Sequence, residues 1–565
     1  MNTDLFGIIF GFLVTVILAV PLGKYMSKVF KGEKVWTDFF APLENFIFKI
    51  SGIDPNEEMD WKKSMKAMLL LNLVFFIWSF VVLLIQGAIP FLNPAKIASM
   101  EPSLAFHSAV SFVTNTNMQA YSGETGATYF SQMLVFTFLQ FVSAGTGIAA
   151  LALIFKGLMQ RQASNLGNFY NLFLKSCTRI LLPLAFVVSI ILLLNGMPQT
   201  FKGLQQTVTL QGDTVNVATG PVASMISIKQ LGTNGGGYFG TNSAHPFENP
   251  NYLTNMVENF SILFIPIGLV FTFGYYLNRK KLAWIFFGIM TVLFVTFVAI
   301  NVHYETAGNP LISKMGINQS LGNMEGKEVR FGAAASAYWG VSTTSTSNGS
   351  VNSMHDSQMP LSGGVYMLDM MINALYGGVG VGFINFFIYI IIAVFISGLM
   401  VGRTPEFLGK KIEAREVKIA ALVLLVTPFL VLVPTAIAAY AVTKNPHLPW
   451  LNNPSFHGFS AMLYQFASSN ANNGSNFAGL GINNYFWNIL GGIVIFLARF
   501  IPIIGPVAIA GMMAEKKYIP ESVGTLKAES YTFAFMVLGI IIIVSALNFF
   551  PALALGPIAE HLTLF

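Results

Sequence analysis

The chain has 565 residues, of which 54% are hydrophobic and only 10% charged, and it carries a formal net charge of +6. So few polar groups cannot cover a water-soluble globule of this length, which excludes a soluble enzyme or binding domain and indicates a membrane protein. A single cysteine, Cys177, excludes an intrachain disulfide and a cysteine metal cluster.

Ten apolar runs follow one another, at roughly 5–23, 68–92, 128–155, 177–196, 256–277, 282–300, 383–402, 417–442, 485–513 and 531–556. Each is near the ~20 residues a helix needs to cross a bilayer. The first lacks a basic stretch before its apolar core and a small-residue cleavage site, which predicts a retained helix and not a signal peptide. Of the 31 Lys and Arg, 23 fall at Arg179 and in the segments 24–67, 156–176, 278–281, 403–418 and 514–530, on one side of the predicted membrane. The positive-inside rule makes that side cytoplasmic and puts the N-terminus outside. The same bias accounts for the net charge without a nucleic-acid partner.

After the first span, the loop from Lys24 to Lys66 alternates basic and acidic residues, and reads equally as a docking surface or a solvated connector. The second span leads to Glu101-Pro102-Ser103, the apolar run Leu104 to Val113, the turn Thr114-Asn115-Thr116-Asn117 and a further span. This unit of span, half-helix, turn and span recurs around Thr233-Asn234-Gly235-Gly236, Tyr376-Gly377-Gly378 and Asn472-Asn473-Gly474. Pro102, Pro221 and Pro454 stand near the starts of three half-helices, where a fixed φ and a missing N–H suit the first turn. Ten to twelve residues at ~1.5 Å each reach about half the bilayer depth, so each half-helix enters from outside and aims its negative dipole end at the membrane centre.

Those turns have the residue types a bare monovalent cation needs. Inward backbone carbonyls replace its water shell without adding net charge. Glycine opens dihedrals closed to other residues, and Asn and Thr add side-chain oxygens. Irregular backbone within a membrane is tolerated only where it lines a cavity or is buried in protein. One glycine turn alone could equally serve close helix packing, whereas four at equivalent places point to one shared site. The turns are unequal, and the first has no glycine, with Thr116 expected to align with Gly235 and Gly474. A short, uneven ring predicts tight capture over fast multi-ion conduction.

The segments SFVTNTNMQAYSGE, LGTNGGGYFGTNSAHPFENP, YGGVGVGFINFFIYIIIAVFISGLMVGRTPEFLGKKIE and NANNGSNFAGL closely resemble the potassium-binding A subunits of the Kdp family, the ATP-driven potassium uptake pumps of bacteria and archaea. The resemblance spans essentially the whole chain. It implies an all-α polytopic membrane protein of ten transmembrane helices, related to potassium channels, in which four pseudo-symmetric helix, pore-helix, filter and helix repeats carry one extra helix at each end. The implied boundaries are 1–67 for the first extra helix and its loop, 68–157, 176–277, 282–402 and 417–513 for the repeats, and 531–565 for the last helix. The potassium filter carried over by match is Thr114, Asn115, Thr116 and Asn117, then Thr233, Asn234, Gly235 and Gly236, then Tyr376, Gly377 and Gly378, then Asn472, Asn473 and Gly474, with Gln119 beside it. The resemblance also implies a prokaryotic inner-membrane location with the filter outside. The implied partners are a P-type ATPase B subunit that receives the ion sideways through an intramembrane tunnel, a single-pass C subunit and a small F subunit, besides membrane lipid.

Other stretches bear on mechanism. Arg499 lies within the ninth span, where an ionisable group is costly and functional by default; it is either a cation barrier or a structural arginine bonded to loop carbonyls. Gly398 and Gly402 interrupt the seventh span ahead of Arg403, and the resemblance implies a helix break below the filter that acts as a gate. The outer loop from Asn301 to Pro360 is rich in Ser, Thr, Asn and Gly over Ser336 to Ser357, which reads as flexible surface. The seven histidines are scattered without metal-ligand spacing. No GxxxxGK[ST] or acidic phospho-acceptor motif occurs, so the chain is expected to bind no nucleotide and to hydrolyse no ATP by itself. A stand-alone four-repeat potassium channel or cation symporter, or a secondary transporter with broken helices, remains the alternative.

Overall fold

The computed structural model describes residues 3–400, 402, 404–519 and 527–564. In chain order the helices that matter are α1 (Asp4–Lys31), α2 (Trp61–Ala88), α3 (Pro102–Val113), α4 (Ser131–Met159), α5 (Phe169–Leu194), α6 (Val222–Leu231) and α7 (Tyr252–Tyr276). They continue with α8 (Lys280–Ala307), α9 (Gly332–Ser345), α10 (Pro360–Ile372), α11 (Val381–Met400) and α12 (Ala414–Lys444). The last three are α13 (Ser455–Ala471), α14 (Tyr485–Glu515) and α15 (Tyr531–Leu562). Among the described residues, ten helices are long and apolar enough to cross a membrane, matching the ten apolar runs to within several residues at most ends.

Local sequence explains the helix starts. Asp60 accepts from the Lys63 amide at the start of α2, and Asn484 does the same for Trp487 at α14. Glu101 caps α3 through the Leu104 amide, with Pro102 in the first turn. Asn251 and Thr254 form a reciprocal capping box at α7.

Four short helices, α3, α6, α9 and α13, do not cross; they fill the middle of the ring of crossing helices. Burial separates inner from outer elements: 89% of the apolar window of α4 is buried, against 17% for α1 and 33% for α15. The two terminal helices are thus outer elements, as are α2 and α12, each with 28% of its window buried. α1 lies close along α7, because a Cβ at Gly23 would stand 2.7 Å from the Gly268 carbonyl oxygen. No larger residue fits that crossing.

The third repeat departs from the sequence reading. The stretch from Ser336 to Ser357 is not flexible surface: α9 and the turn after it are buried almost throughout, with Trp339, Thr343, Asn348 and Ser350 fully enclosed. Its small polar side chains are spent on internal hydrogen bonds, such as Trp339 Nε1 to the Ser350 carbonyl at 2.9 Å and Asn473 Nδ2 to the Thr343 carbonyl at 2.8 Å. Composition alone does not tell a solvated linker from a pore helix whose neighbours satisfy its polar groups. The crossing that follows is split into α10 and α11 by an irregular stretch, 373–380.

Candidate functional site

The four short helices end on four loops at one place in the core. Each loop alternates its backbone in the same way, with left-handed residues two apart. They are Asn115 (φ 65°) and Asn117 (φ 55°), Thr233 (47°) and Gly235 (78°), Ser347 (50°) and Gly349 (89°), and Asn472 (51°) and Gly474 (103°). Loop residues in this conformation are costly unless glycine or asparagine supplies them, and six of the eight positions are one or the other. The polar residues of all four loops are at most 4% exposed.

The loops interlock in a ring. A Cβ at Gly235 would lie 2.0 Å from the Asn348 carbonyl oxygen, one at Gly349 2.0 Å from that of Asn473, and one at Gly474 2.1 Å from that of Thr116. Asn117 closes the circle by donating from Nδ2 to Asn234 Oδ1 at 3.1 Å. Thr116, Asn234, Asn348 and Asn473 are therefore equivalent, and Asn117, not Thr116, is the counterpart of Gly235 and Gly474. Among the described residues no hydrogen bond reaches the carbonyl oxygens of those four equivalent residues. Buried carbonyls without a donor are rare in proteins and call for a positive partner.

The loops are held from behind by amides. Asn115 Nδ2 donates to the Gly232 and Thr233 carbonyls at 3.1 and 2.9 Å, and its Oδ1 accepts from Ser143 Oγ at 2.8 Å. Asn234 Nδ2 reaches the Gln140 carbonyl at 3.0 Å, and Asn472 Nδ2 reaches Thr116 Oγ1 at 3.0 Å. Gln140 Nε2 donates to the Gly236 carbonyl at 3.0 Å. Gln119 pairs with the backbone of Gly237 in both directions, each at 2.9 Å, and so ties the first loop to the second. Under the second loop, Lys229 Nζ meets Glu248 Oε2 and Asn242 Oδ1, each at 2.6 Å, with no exposure of either charged side chain. Asn242 Nδ2 in turn holds the Gly235 carbonyl at 2.7 Å.

The third loop of this ring is Thr346 to Ser350, and not the stretch Tyr376-Gly377-Gly378. That stretch lies against the end of α9, where the Gly377 amide donates to the Ser345 carbonyl at 2.8 Å and the Val379 amide to Thr233 Oγ1 at 2.9 Å. The Tyr376 hydroxyl is turned away to Thr291 on α8, at 2.7 Å. Gly378 has room for a side chain, its nearest neighbour being 3.6 Å from an added Cβ. A sequence signal for the true loop existed: Ser347-Asn348-Gly349-Ser350 repeats the pattern of Asn472-Asn473-Gly474-Ser475. The break in the second crossing of this repeat is likewise 373–380. Gly398 is inside the uninterrupted α11, and Gly402 follows its end with open space around it; Arg403 lies outside the described residues.

Arg499 on α14 is 3% exposed and donates from Nη2 to the Ser143 carbonyl at 3.2 Å. Among the described residues it has no carboxylate partner. Its guanidinium adjoins Gly147, which also packs on Val379, so the charge sits beside the 373–380 break.

A family model described as Potassium-transporting ATPase A subunit matches residues 9–562. The chain belongs to this family. Among the curated members is a Flavobacterium johnsoniae protein 57% identical over 574 residues, which covers all of both chains. A Bacteroides fragilis protein is 56% identical over 569 residues with the same full coverage, and a Geobacillus kaustophilus one 46% identical over 98% of each chain. All three are named potassium-transporting ATPase potassium-binding subunit. Among solved structures, the potassium transporter TrkH from Vibrio parahaemolyticus shares the fold, with a TM-score of 0.50 at 14% identity over 89% of this chain and 97% of that one. The chain thus shares its fold with that protein, and the interlocked loops lie where its own four short helices end.

Proposed function

We propose that this chain is the potassium-binding subunit of an ATP-driven potassium uptake pump, and that the four-loop ring is its selectivity site. The observation that carries this reading is the ring of four equivalent buried carbonyls, on Thr116, Asn234, Asn348 and Asn473, with no donor among the described residues. They stand where four helices end, so the negative ends of four helix dipoles converge on them. No Asp or Glu occurs in the loops, and a neutral oxygen cage suits a dehydrated monovalent cation. The relatives' shared name, potassium-binding subunit, supports potassium as that cation.

The loops face the outside and the basic loops the cytoplasm. The ion leaves the ring sideways through the membrane to a P-type ATPase B subunit, assembled with a single-pass C subunit and a small F subunit. A direct path to the cytoplasm must then stay shut. The 373–380 break supplies a movable plug against the second and third loops, and the unpaired Arg499 charge beside it supplies the electrostatic part.

The test compares the purified chain with the assembled complex. The chain alone is expected to gain thermal stability in potassium over sodium and to hydrolyse no ATP, while the complex hydrolyses ATP in a potassium-dependent way. Hydrolysis by the chain alone, or equal stabilisation by both ions, overturns the reading.

A further inference from the structure

Most other buried carboxylates among the described residues are matched by bases. Glu44 pairs with Arg179, Glu248 with Lys229, Glu305 with Lys327 and Glu416 with Lys516. Glu258 has no base at hydrogen-bond distance: Gln230 Nε2 and the Ser243 hydroxyl donate to its Oε2, its Oε1 has no partner, and only Ser243 bridges it to Lys229. Asp369, on the last turn of α10, lacks even such a bridge to a base. It is 1% exposed and has no basic partner among the described residues. Two hydroxyls donate to one of its oxygens, Thr344 Oγ1 at 2.8 Å and Ser345 Oγ at 2.6 Å. Its other oxygen, Oδ1, is buried with no partner.

A buried carboxylate with one oxygen unpartnered is costly unless a positive charge is near. The side chains that hold it belong to the two residues preceding the third loop, which begins at Thr346. The same corner is tied further to that loop: the Asn373 amide donates to the Asp369 carbonyl at 2.9 Å, and Asn373 Oδ1 accepts from Ser347 Oγ at 2.8 Å. A cation held in the adjoining ring would supply that counter-charge.

We propose that Asp369 sets the potassium affinity of the ring, acting as a fixed negative charge held behind the third loop by Thr344 and Ser345. The proposal rests on the ring being the potassium site. Asp369 does not ligate the ion; it lowers the potential at the four carbonyls and so favours capture from dilute solution. At a separation on the order of 10 Å and an effective permittivity of about 20, one unit charge changes binding by roughly tenfold.

The experiment measures, in the reconstituted complex, the potassium concentration that half-saturates ATP hydrolysis and uptake. Asp369→Asn keeps shape and removes charge; it is expected to raise that concentration by roughly tenfold while the rate at saturating potassium stays near wild type. Asp369→Glu keeps the low value. Moving the charge one turn on, in the double variant Asp369→Asn with Asn373→Asp, restores affinity, which a purely structural role for Asp369 does not predict. Asn373→Asp alone, adding a second charge, lowers the half-saturating concentration, and this variant decides the matter if Asp369→Asn does not assemble. Wild-type affinity in Asp369→Asn, failure of the double variant to recover it, or an unchanged or raised value in Asn373→Asp overturns the proposal. Gly235→Ala in the same assay separates the two readings: if it too leaves affinity and selectivity unchanged, the ring is not the site, whereas an effect there with none at Asp369 removes only the role of Asp369.

Discussion

Gly235→Ala probes the ring where its tolerance is smallest. An added Cβ falls 2.0 Å from the Asn348 carbonyl oxygen, 2.5 Å from the Ser350 amide nitrogen and 2.6 Å from the Gly349 carbonyl carbon, all of them backbone. Real Cβ atoms stay beyond 3.0 Å, so the second and third loops must part by about 1 Å, because no flexible side chain is there to give way. The φ of 78° adds its own cost, about 1–2 kcal/mol for a residue with a Cβ. Parting the loops weakens the field of their carbonyls on the ion, and a loss of about 1.4 kcal/mol in binding is tenfold in affinity. In proteoliposomes holding the complete complex, half-saturating potassium is expected to rise on the order of tenfold and selectivity over sodium to fall. Gly378→Ala is the internal control, since the nearest atom to its added Cβ is 3.6 Å away, and it should leave both quantities unchanged. A well-assembled Gly235→Ala complex with wild-type potassium dependence and selectivity would refute the argument from the ring.

Gly349→Ala, whose Cβ would meet the Asn473 carbonyl oxygen at 2.0 Å, should reproduce the Gly235 effect in the same flux assay; a silent variant removes Thr346 to Ser350 from the site. Arg499→Met tests the barrier: two unit charges ~6 Å apart repel by about 3 kcal/mol at an effective permittivity near 20, so its loss should open a passive potassium leak or uncouple ATP hydrolysis from uptake, read as flux with and without ATP. Wild-type leak and coupling would make the residue purely structural. At the start of α13, His457 joins Asp356 through Nε2 and Glu560 through Nδ1, each at 2.8 Å. Burial opposes its charge, but the hydrogen bonds to the two carboxylates outweigh burial and raise its pKa from 6.5 to about 10. The stabilisation is thus full below about pH 6.5 and is lost as pH rises through about 10. Melting of wild type against His457→Gln in detergent should show a gap that narrows across that range, and a constant gap would contradict the ion-pair account.

Much of this protein was legible in the residues themselves. Ten crossings follow from apolar run length, since a bilayer admits few alternatives to a helix of about 20 residues. The first, second and fourth loops were readable because Thr114 to Asn117, Thr233 to Gly236 and Asn472 to Gly474 each stand between a half-helix and an apolar span. The third loop was hidden by its setting. The run from Ser336 to Ser357 has the polar, small-residue composition of a solvated linker, and its pore helix starts at Gly332 without the proline that marks the other three. The glycines of 376–380 drew attention because glycine density is visible in sequence, while the left-handed alternation that defines the ring is a property of dihedral angles.

The sequence by itself determined the class, the number of crossings and the family, because these depend on residue type summed over long stretches. Only the tertiary structure decided which loops meet. Asn117 is the counterpart of Gly235 and Gly474, and Thr346 to Ser350 closes the circle, because Gly235, Gly349 and Gly474 each pack on the next loop's carbonyl and Asn117 bonds the Asn234 side chain, across more than a hundred residues of chain. It also decided where the helix breaks: Gly398 has helical neighbours and stays helical, whereas 373–380 is wedged between the end of α9 and the second loop, which satisfy its amides in place of helical carbonyls. The same holds for charge. Asp369 and Arg499 look like ordinary polar exceptions in apolar runs, and only the tertiary structure puts them on either side of the break, each without a partner of opposite sign among the described residues.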